Sequence, residues 1–556
     1  MRIEKQLKEK LQQCLKSINV DVALDDIVIE TPKDETLGDF SSNVALKYAK
    51  IIKDSPVNLA NKIISVLSND DFFDSVTVAG PGFINFNLNN KVFYDYIKEI
   101  ISRDTDFGTL PSKNTKVNLE YVSANPTGTL HLGHARGAAV GDSLARLLKK
   151  AGYAITREYY INDAGNQIDN LAMSLYVRYL QHYGKQVDLP EDGYHGQEVI
   201  DIANDLASKY GNMYLEPSMK EKALTKFKTA GKAKMLVKIK KDLADIRVKF
   251  DVYTSEVAIR KKYSMPDLLT KLKPYTYIEE GATFLKTTDY LDDKDRVLVK
   301  SDGSYTYLLP DIAYHLDKLS RGFDKLIDVL GADHHGYIPR ITSSLMMFGY
   351  PQSSLDVEII QMVRIIKDGE EIKMSKRTGN SISMQELAEM AGVDAVRYFF
   401  ICRSASTHLD FDLNLAQDQS SANPVYYAQY AHARLYTVLN RGKNIPLDIS
   451  GKLLKEPQEL SLLKLLVGFE KVVDDAANDK APYKITTYIQ KLANSIHYFY
   501  TKSRIILDDD SKLTAARLAL AKAAQIVIKT SLGLIGVKAP LKMKQLPKEE
   551  NQEEKI

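Results

Sequence analysis

The stretch Asn125-Pro-Thr127-Gly128-Thr-Leu-His131-Leu-Gly133-His134 sets two imidazoles three residues apart beside two glycines. Histidines about one helical turn apart can face the same developing negative charge, and glycines let a flat base or a phosphate approach the main chain. Far downstream, Lys373-Met-Ser375-Lys376-Arg377-Thr-Gly379-Asn380 follows the turn-like Asp368-Gly369 and places a cationic cluster ahead of a glycine. Cations on a closing loop can stabilise charge that builds on phosphates. Each stretch alone also has an ordinary explanation, a turn with two surface histidines and a solvated charge run.

The elements that must hold these groups are legible on either side. Val117, Leu119 and Tyr121 alternate with polar neighbours, the period of a strand, while Ala138, Gly141, Leu144, Ala145 and Leu148 recur at helical spacing up to a stop at Gly152. The first stretch is therefore a strand-loop-helix junction. The free N–H groups and positive dipole end of a helix start attract phosphate. A second buried strand, Ile327-Asp-Val-Leu330, runs into Gly331-Ala-Asp333-His334-His335-Gly336. Polar residues at the carboxyl end of such a strand stand where ligands of parallel sheets gather.

Length and composition bound the rest. At 556 residues the chain is too long for one core, and a hydrophobic share of 44% is ordinary for a globular protein. The net charge of +3 neither demands nor excludes a nucleic-acid partner, so any basic footprint has to be local. Cys14 and Cys402 alone supply no disulfide framework and no cysteine-rich zinc site. The charged N-terminus has no secretory pattern, and the apolar run 518–536 is broken by Lys522 and Lys529, so no membrane association and a cytoplasmic location are expected.

Three regions follow from the patterns. Residues 1–110 mix helical runs with strand-like Ile27–Ile29, Ser75–Val78 and Phe83–Leu88, which reads as a small α+β domain. Residues 115–420 alternate short apolar strands with helices, the mark of a parallel sheet wound on both faces, with 160–300 taken as an insertion. Within it, lysine-rich 220–241 reads as an exposed helix. Residues 423–556 read as an all-α bundle with a charged tail, in which Tyr426, Tyr427 and Tyr430 are core in preference to a base-stacking platform.

Taken together and in this order, the two opening stretches resemble the HIGH and KMSKS motifs of class I aminoacyl-tRNA synthetases. Further stretches resemble the bacterial-type arginyl-tRNA synthetase family: Glu120-Tyr-Val-Ser-Ala-Asn125, Tyr159-Tyr-Ile-Asn162-Asp163, Tyr305-Thr-Tyr307-Leu-Leu-Pro-Asp311 and Asn423-Pro-Val-Tyr-Tyr. The resemblance covers nearly the whole chain. It implies a Rossmann-type catalytic domain, an N-terminal domain that contacts the tRNA elbow and a helical anticodon-binding domain.

It also implies ATP-dependent activation of L-arginine and transfer to the 2′-hydroxyl of the terminal adenosine of tRNA(Arg). His131, His134, Lys373, Ser375 and Lys376 are the expected catalytic groups. Thr127, Gly128, Gly133, Gly331, Asp333, Met362 and Val363 are expected to bind ATP, with Mg²⁺ held by the phosphates and no protein metal site. A guanidinium is best read by carboxylates with an aromatic hydroxyl nearby. Tyr307 and Asp311 are placed against it by the resemblance, and Glu256 is the second carboxylate or an ordinary surface acid. Glu120, Asn125 and His334 are candidates for the other end of arginine, with His335 an alternative to His334. Family members are mostly monomers and generally need bound tRNA for activation; the complete Lys373-Met-Ser-Lys376 departs from many of them and leaves that requirement open. The rivals are a class I synthetase for cysteine or glutamine, and a catalytically silent tRNA-binding paralogue.

Overall fold

Five strands form the central sheet, in the spatial order Leu355–Ile360, Lys325–Gly331, Lys116–Tyr121, Ala154–Ile161 and Val252–Ser255. Every neighbouring pair is parallel. The earliest strand is central; the next two extend the sheet to one side and the last two to the other. Strand order therefore reverses between Lys116–Tyr121 and Lys325–Gly331, and ligands of such sheets bind outside the carboxyl ends at that reversal. The computed structural model describes residues 2–32, 34–372 and 382–544.

Helix Leu132–Lys150 lies tight on this sheet because its contact face is made of small residues. Ala135, Ala138 and Ala139 are fully buried, and a Cβ on Gly141 would sit 2.3 Å from Cγ of Tyr121. Arg136 on the same helix is buried and donates to the carbonyls of Gln361 (2.8 Å), Thr407 (2.8 Å) and Ser404 (3.0 Å). One side chain thus ties the helix to two loops beyond the sheet.

Three sequence expectations need correction. Residues 160–300 are not one insertion, since Val252–Ser255 returns to the central sheet as its edge strand beside Tyr159 and Tyr160. A strand of four residues is too short to show a rhythm between long helices. Ile27–Ile29 is not a strand: Ile27 and Ile29 are buried, but the segment joins the N-terminal sheet through an isolated bridge, Glu30 with Ser41, and a bond from Ser42 Oγ to the Val28 carbonyl at 2.7 Å. That antiparallel sheet is Phe40–Ser42, Phe83–Leu88 and Phe73–Ala79.

The lysine-rich segment is helix Lys220–Asp245, and it is not simply exposed. Ala223, Phe227, Gly231, Met235, Ile239 and Leu243 form a buried stripe at four-residue spacing. At Gly231 a Cβ would meet Leu175 Cδ1 at 2.4 Å, so this helix and Asn166–His182 touch backbone to side chain. The lysines between are largely neutralised in place, with Lys228 on Asp169 at 2.5 Å, Lys232 on Asp163 at 2.9 Å and Lys234 on Asp205 at 2.6 Å.

The C-terminal helices, from Pro424–Arg441 to Ser511–Leu534, join the catalytic region through buried Arg397. Its guanidinium donates to Asp142 (2.6 Å), to the carbonyl of Ile246 (2.9 Å) and to the carbonyl of Ile535 (2.9 Å). Gly536 has φ +68 and no room for a side chain, because a Cβ there would be 2.2 Å from Nε of Arg397. Arg397→Met removes the fully buried partner of Asp142 and leaves that carboxylate with the half-buried Arg146 guanidinium at 2.7 Å, and breaking a buried pair costs about 3–5 kcal/mol. The denaturant midpoint should fall accordingly, and Arg397→Met with Asp142→Asn should be more stable than Arg397→Met alone.

Candidate active site

The carboxyl ends of the five strands carry nearly all the singled-out residues that the structure describes. Beyond Lys116–Tyr121 lies the loop to His131, which is the N-cap of helix Leu132–Lys150. Its Nδ1 accepts from the Gly133 N–H at 3.1 Å, and the Nδ1 of His134 accepts from the His131 N–H at 3.3 Å. These reciprocal bonds form a capping box, an arrangement that satisfies orphan N–H groups at a helix start. They also fix the tautomer. An imidazole that accepts at Nδ1 carries its proton on Nε2, so each ring has one donor left for a ligand.

The two rings are 3.8 Å apart between centroids and tilted by 34°. Removal from water lowers both imidazole pKa values, and His134, which also feels His131, is lowered to about 4. Both rings are therefore neutral donors at pH 7. A Cβ on Gly133 would lie 3.1 Å from Cε1 of His131, so the ring rests over this glycine. Thr127 is buried in the same loop, and Gly128 faces Glu198, whose Oε1 is 3.6 Å from where a Cβ would be.

Lys373, Ser375 and Lys376 lie outside the described residues. The chain that follows them is fixed beside the histidines, and strand Val363–Lys367 ahead of them is tied to the same helix at its start. His131 forms an isolated antiparallel bridge with Ser383, the Met384 N–H donates to Leu130 O at 2.8 Å, and Arg136 holds Gln361. Val363 begins strand Val363–Lys367, parallel to Leu409–Asp412, and Met362 is exposed just ahead of it. On the other side of the strand reversal, Gly331 ends its strand and Asp333 and His334 are exposed, 3.4 Å apart.

A second cluster, this one acidic, lies over the strands from Lys116–Tyr121 to Val252–Ser255. Glu256 is the first residue of helix Glu256–Lys262 and is only 4% exposed. Asp163 fixes that helix start by accepting from Ser255 Oγ (2.8 and 2.9 Å), from the Val257 N–H (3.1 Å) and from Lys232 (2.9 Å). Asp311 stands in the first turn of helix Leu308–Ser320. Burial raises its pKa to about 7; His315 and a hydrogen bond from Tyr337 oppose that rise, and Glu256 and Glu120 add to it. Tyr160 is raised by burial and by the same three carboxylates. The three acids thus feel one another's charge.

Sequence-predicted residues divide around this cluster. Glu256 and Asp311 belong to it. Glu120 forms its floor, accepting from Ser123 Oγ at 2.8 Å and from the buried Lys318 ammonium. Asn125 points elsewhere, its amide donating to Gln167. Tyr307 is 81% exposed at the N-cap of helix Leu308–Ser320, so its hydroxyl is outside the buried cluster, and His334 reaches it only through the Tyr337 ring, 6.2 Å away.

Several members went unread in the sequence. Lys318 bonds Asp328 at 2.8 Å as well as Glu120, and His315 links Asp328 (2.8 Å) to the carbonyl of Asp311 (2.8 Å). The signal was present in Asp311-Ile-Ala-Tyr314-His315-Leu-Asp-Lys318, where positions 311, 315 and 318 share a helix face. Among the described residues no group of three or more His, Cys, Asp or Glu side chains is placed to hold a metal ion. No described helix is long and apolar enough to cross a membrane.

Comparison with known proteins gives the same reading along the whole chain. Residues 3–88 match the family model described as arginyl tRNA synthetase N terminal domain, 96–435 that of tRNA synthetases class I (R), catalytic domain, and 428–543 that of the DALR anticodon binding domain. The arginine--tRNA ligase of Listeria monocytogenes serotype 4b is 48% identical over 93% of this chain and 94% of its own length. That of Bacillus subtilis is 47% identical over 98% and 100%. The Thermus thermophilus arginyl-tRNA synthetase structure shares the fold at a TM-score of 0.75, with 21% identity over 97% of this chain and 100% of that one. A junction of neutral imidazoles at one helix start, an acidic cluster beside it and matches spanning all three regions lead to one conclusion: the chain belongs to the arginyl-tRNA synthetase family of class I.

Proposed function

We propose that this chain charges tRNA with arginine at the expense of ATP. The observation that carries the reading is the pairing, at one sheet edge, of a buried carboxylate cluster with a capped helix start that presents two N–H donors. The first suits a guanidinium and the second suits phosphate. A synthetase for cysteine or glutamine has no use for such a cluster, and the Nε2 donors left free by the cap speak against a silent paralogue.

In the first step a carboxylate oxygen of arginine attacks the α-phosphorus of ATP. The bond to the β-phosphate breaks and pyrophosphate leaves. In the second step the 2′-hydroxyl of the terminal adenosine attacks the aminoacyl carbonyl and AMP leaves. The protein's part is to position reactants and stabilise charge. Glu256 and Asp311 take the guanidinium, with Tyr307 closing over it from the exposed side. Asn125 and His334 serve the α-amino and carboxylate end, while Glu120, expected there from the sequence, underlies the guanidinium cluster instead.

The backbone at Gly133, Met362 and Val363 faces adenine, Gly331 and Asp333 serve the ribose, and Thr127 and Gly128 line the nucleotide loop. His131 and His134 donate to the phosphates through Nε2, Lys373 and Lys376 add positive charge, and the Ser375 hydroxyl adds a hydrogen bond. Mg²⁺ enters with ATP on the phosphate oxygens. The partner is tRNA(Arg), bound by the C-terminal helices at the anticodon and by the N-terminal domain at the elbow. We read the enzyme as a cytoplasmic monomer.

Aminoacylation assayed over all amino acids should give product with arginine alone. His134→Ala removes one pre-aimed donor and should slow adenylate formation on the order of a hundred- to a thousandfold. A rate within a few-fold of the parent would remove His134 from the chemistry.

The acid cluster generates a pH prediction of defined sign. With its pKa raised to about 7, Asp311 holds a proton in the folded chain from about pH 4 to pH 7, a range where the unfolded chain has lost it. Folding stability therefore falls as pH rises across that window and is level above it. Arginine needs the carboxylate, so its affinity moves the other way, rising about tenfold from pH 6 to pH 8. Calorimetric titration should show this gain in the parent and a weak, flat profile in Asp311→Asn.

A further inference from the structure

Glu256 already holds a guanidinium. Arg260, one turn along the same helix, places Nη2 2.6 Å and Nε 2.8 Å from Oε1 of Glu256. The other oxygen, Oε2, accepts from the Asn162 amide at 2.8 Å. Both oxygens of this buried carboxylate are thus engaged by the chain itself.

The two partners differ in their freedom. The Glu256 side chain is 6% exposed and anchored at a helix start, whereas that of Arg260 is 37% exposed. Arg260 can swing into solvent, and Glu256 cannot follow. Arg260 also lies close enough to Tyr160 to oppose the effect of Glu256 and Asp311 on that hydroxyl, so its charge is felt inside the acid cluster.

We propose that Arg260 is an internal competitor for the substrate guanidinium: it satisfies Glu256 and is displaced into solvent by arginine. This rests on the arginine reading of the cluster. The physical need is plain, since an unpartnered carboxylate in the interior is costly and a second guanidinium matches the same planar donor geometry. A ligand that must displace a competitor binds with an apparent affinity lowered by the fraction of sites free of it. Arg260 therefore sets the arginine concentration at which the enzyme works, and it does so without entering the chemistry.

The test is steady-state aminoacylation with arginine varied, together with calorimetric arginine binding, on full-length Arg260→Met, Arg260→Gln and Arg260→Lys. For Met and Gln we expect KM and Kd for arginine to fall about threefold to fivefold, the upper range of a partly exposed ion pair, with kcat within about twofold of the parent. Lys keeps a cation without the planar fork and should fall between. In a Glu256→Gln background, Arg260→Met should change arginine binding by less than about twofold, because no carboxylate remains to compete for.

An unchanged or raised KM in folded Arg260→Met and Arg260→Gln would overturn the proposal and make Arg260 an orienting partner of Glu256 or an ordinary helix-surface pair. An equal gain in the Glu256→Gln background would overturn it too. A parent protein that neither binds nor transfers arginine would instead defeat the functional reading, which the parent assay reports separately.

Discussion

The site depends on one ammonium group. Lys318 has no exposure to solvent, and it bonds Glu120 from strand Lys116–Tyr121 and Asp328 from strand Lys325–Gly331. Those strands flank the reversal of strand order, so the ion pairs bridge the crevice floor. Burial pulls Lys318 toward neutrality, and Asp328 and Glu120 outweigh it and keep it charged. The same contact, joined by His315, holds Asp328 well below the usual carboxylate range against the effect of its own burial. Without the ammonium, two carboxylates would face each other in the interior. Such a network adds little net stability over an apolar core, but it allows few arrangements.

What the network fixes is the path from the sheet to the acid cluster. From Asp328 it runs through His315 to the Asp311 carbonyl, and from Glu120 through Ser123 to the Tyr160 N–H. Asp311 is thereby held where burial, with the charges of Glu256 and Glu120 adding to it, pushes its proton affinity up, while Glu256, on a helix started by Asp163, is held by Arg260 and Asn162. One carboxyl of the cluster is a proton carrier near neutrality and the other a paired anion. The helix start across the crevice has the opposite character, with imidazoles that donate without carrying charge. A zwitterion with a cationic tail and a polyanion can then share one crevice without either site neutralising the other.

Period and spacing made the frame legible. The alternation at Val117, Leu119 and Tyr121, the helical spacing after Gly133 and the apolar run at Ile327–Leu330 each correspond to an observed element. The capped histidines were legible as a pair, but not their tautomer, which is set by backbone geometry alone. Asn118 and Glu120 showed as the polar half of an alternation, yet both are buried, because Glu158 and Lys318 meet them on the second face of the sheet. Partners 40 and 198 positions away leave no local mark. Arg260 reads as an ordinary i,i+4 pair with Glu256, and only the burial of one partner and the exposure of the other give it a further meaning.

The loop that joins the two halves of the site carries backbone strain. Val122 and Ser123 adopt φ +69 and +40, a region that a β-branched residue avoids and that costs on the order of 1–3 kcal/mol per residue. The turn puts the Ser123 hydroxyl where it donates to Glu120 at 2.8 Å and accepts from the Tyr160 N–H at 3.0 Å, joining two adjacent strands just past their carboxyl ends. It also redirects the chain, through buried Ala124, whose carbonyl takes the Tyr159 hydroxyl at 2.7 Å, toward His131. Glycine at position 122 would relieve the strain but free the loop, and the distance between the acid cluster and the capped imidazoles would no longer be set by the sheet. The strain is tolerated because the turn's own hydrogen bonds, from Ser123 to Glu120 and from the Tyr160 N–H to Ser123, hold it in place.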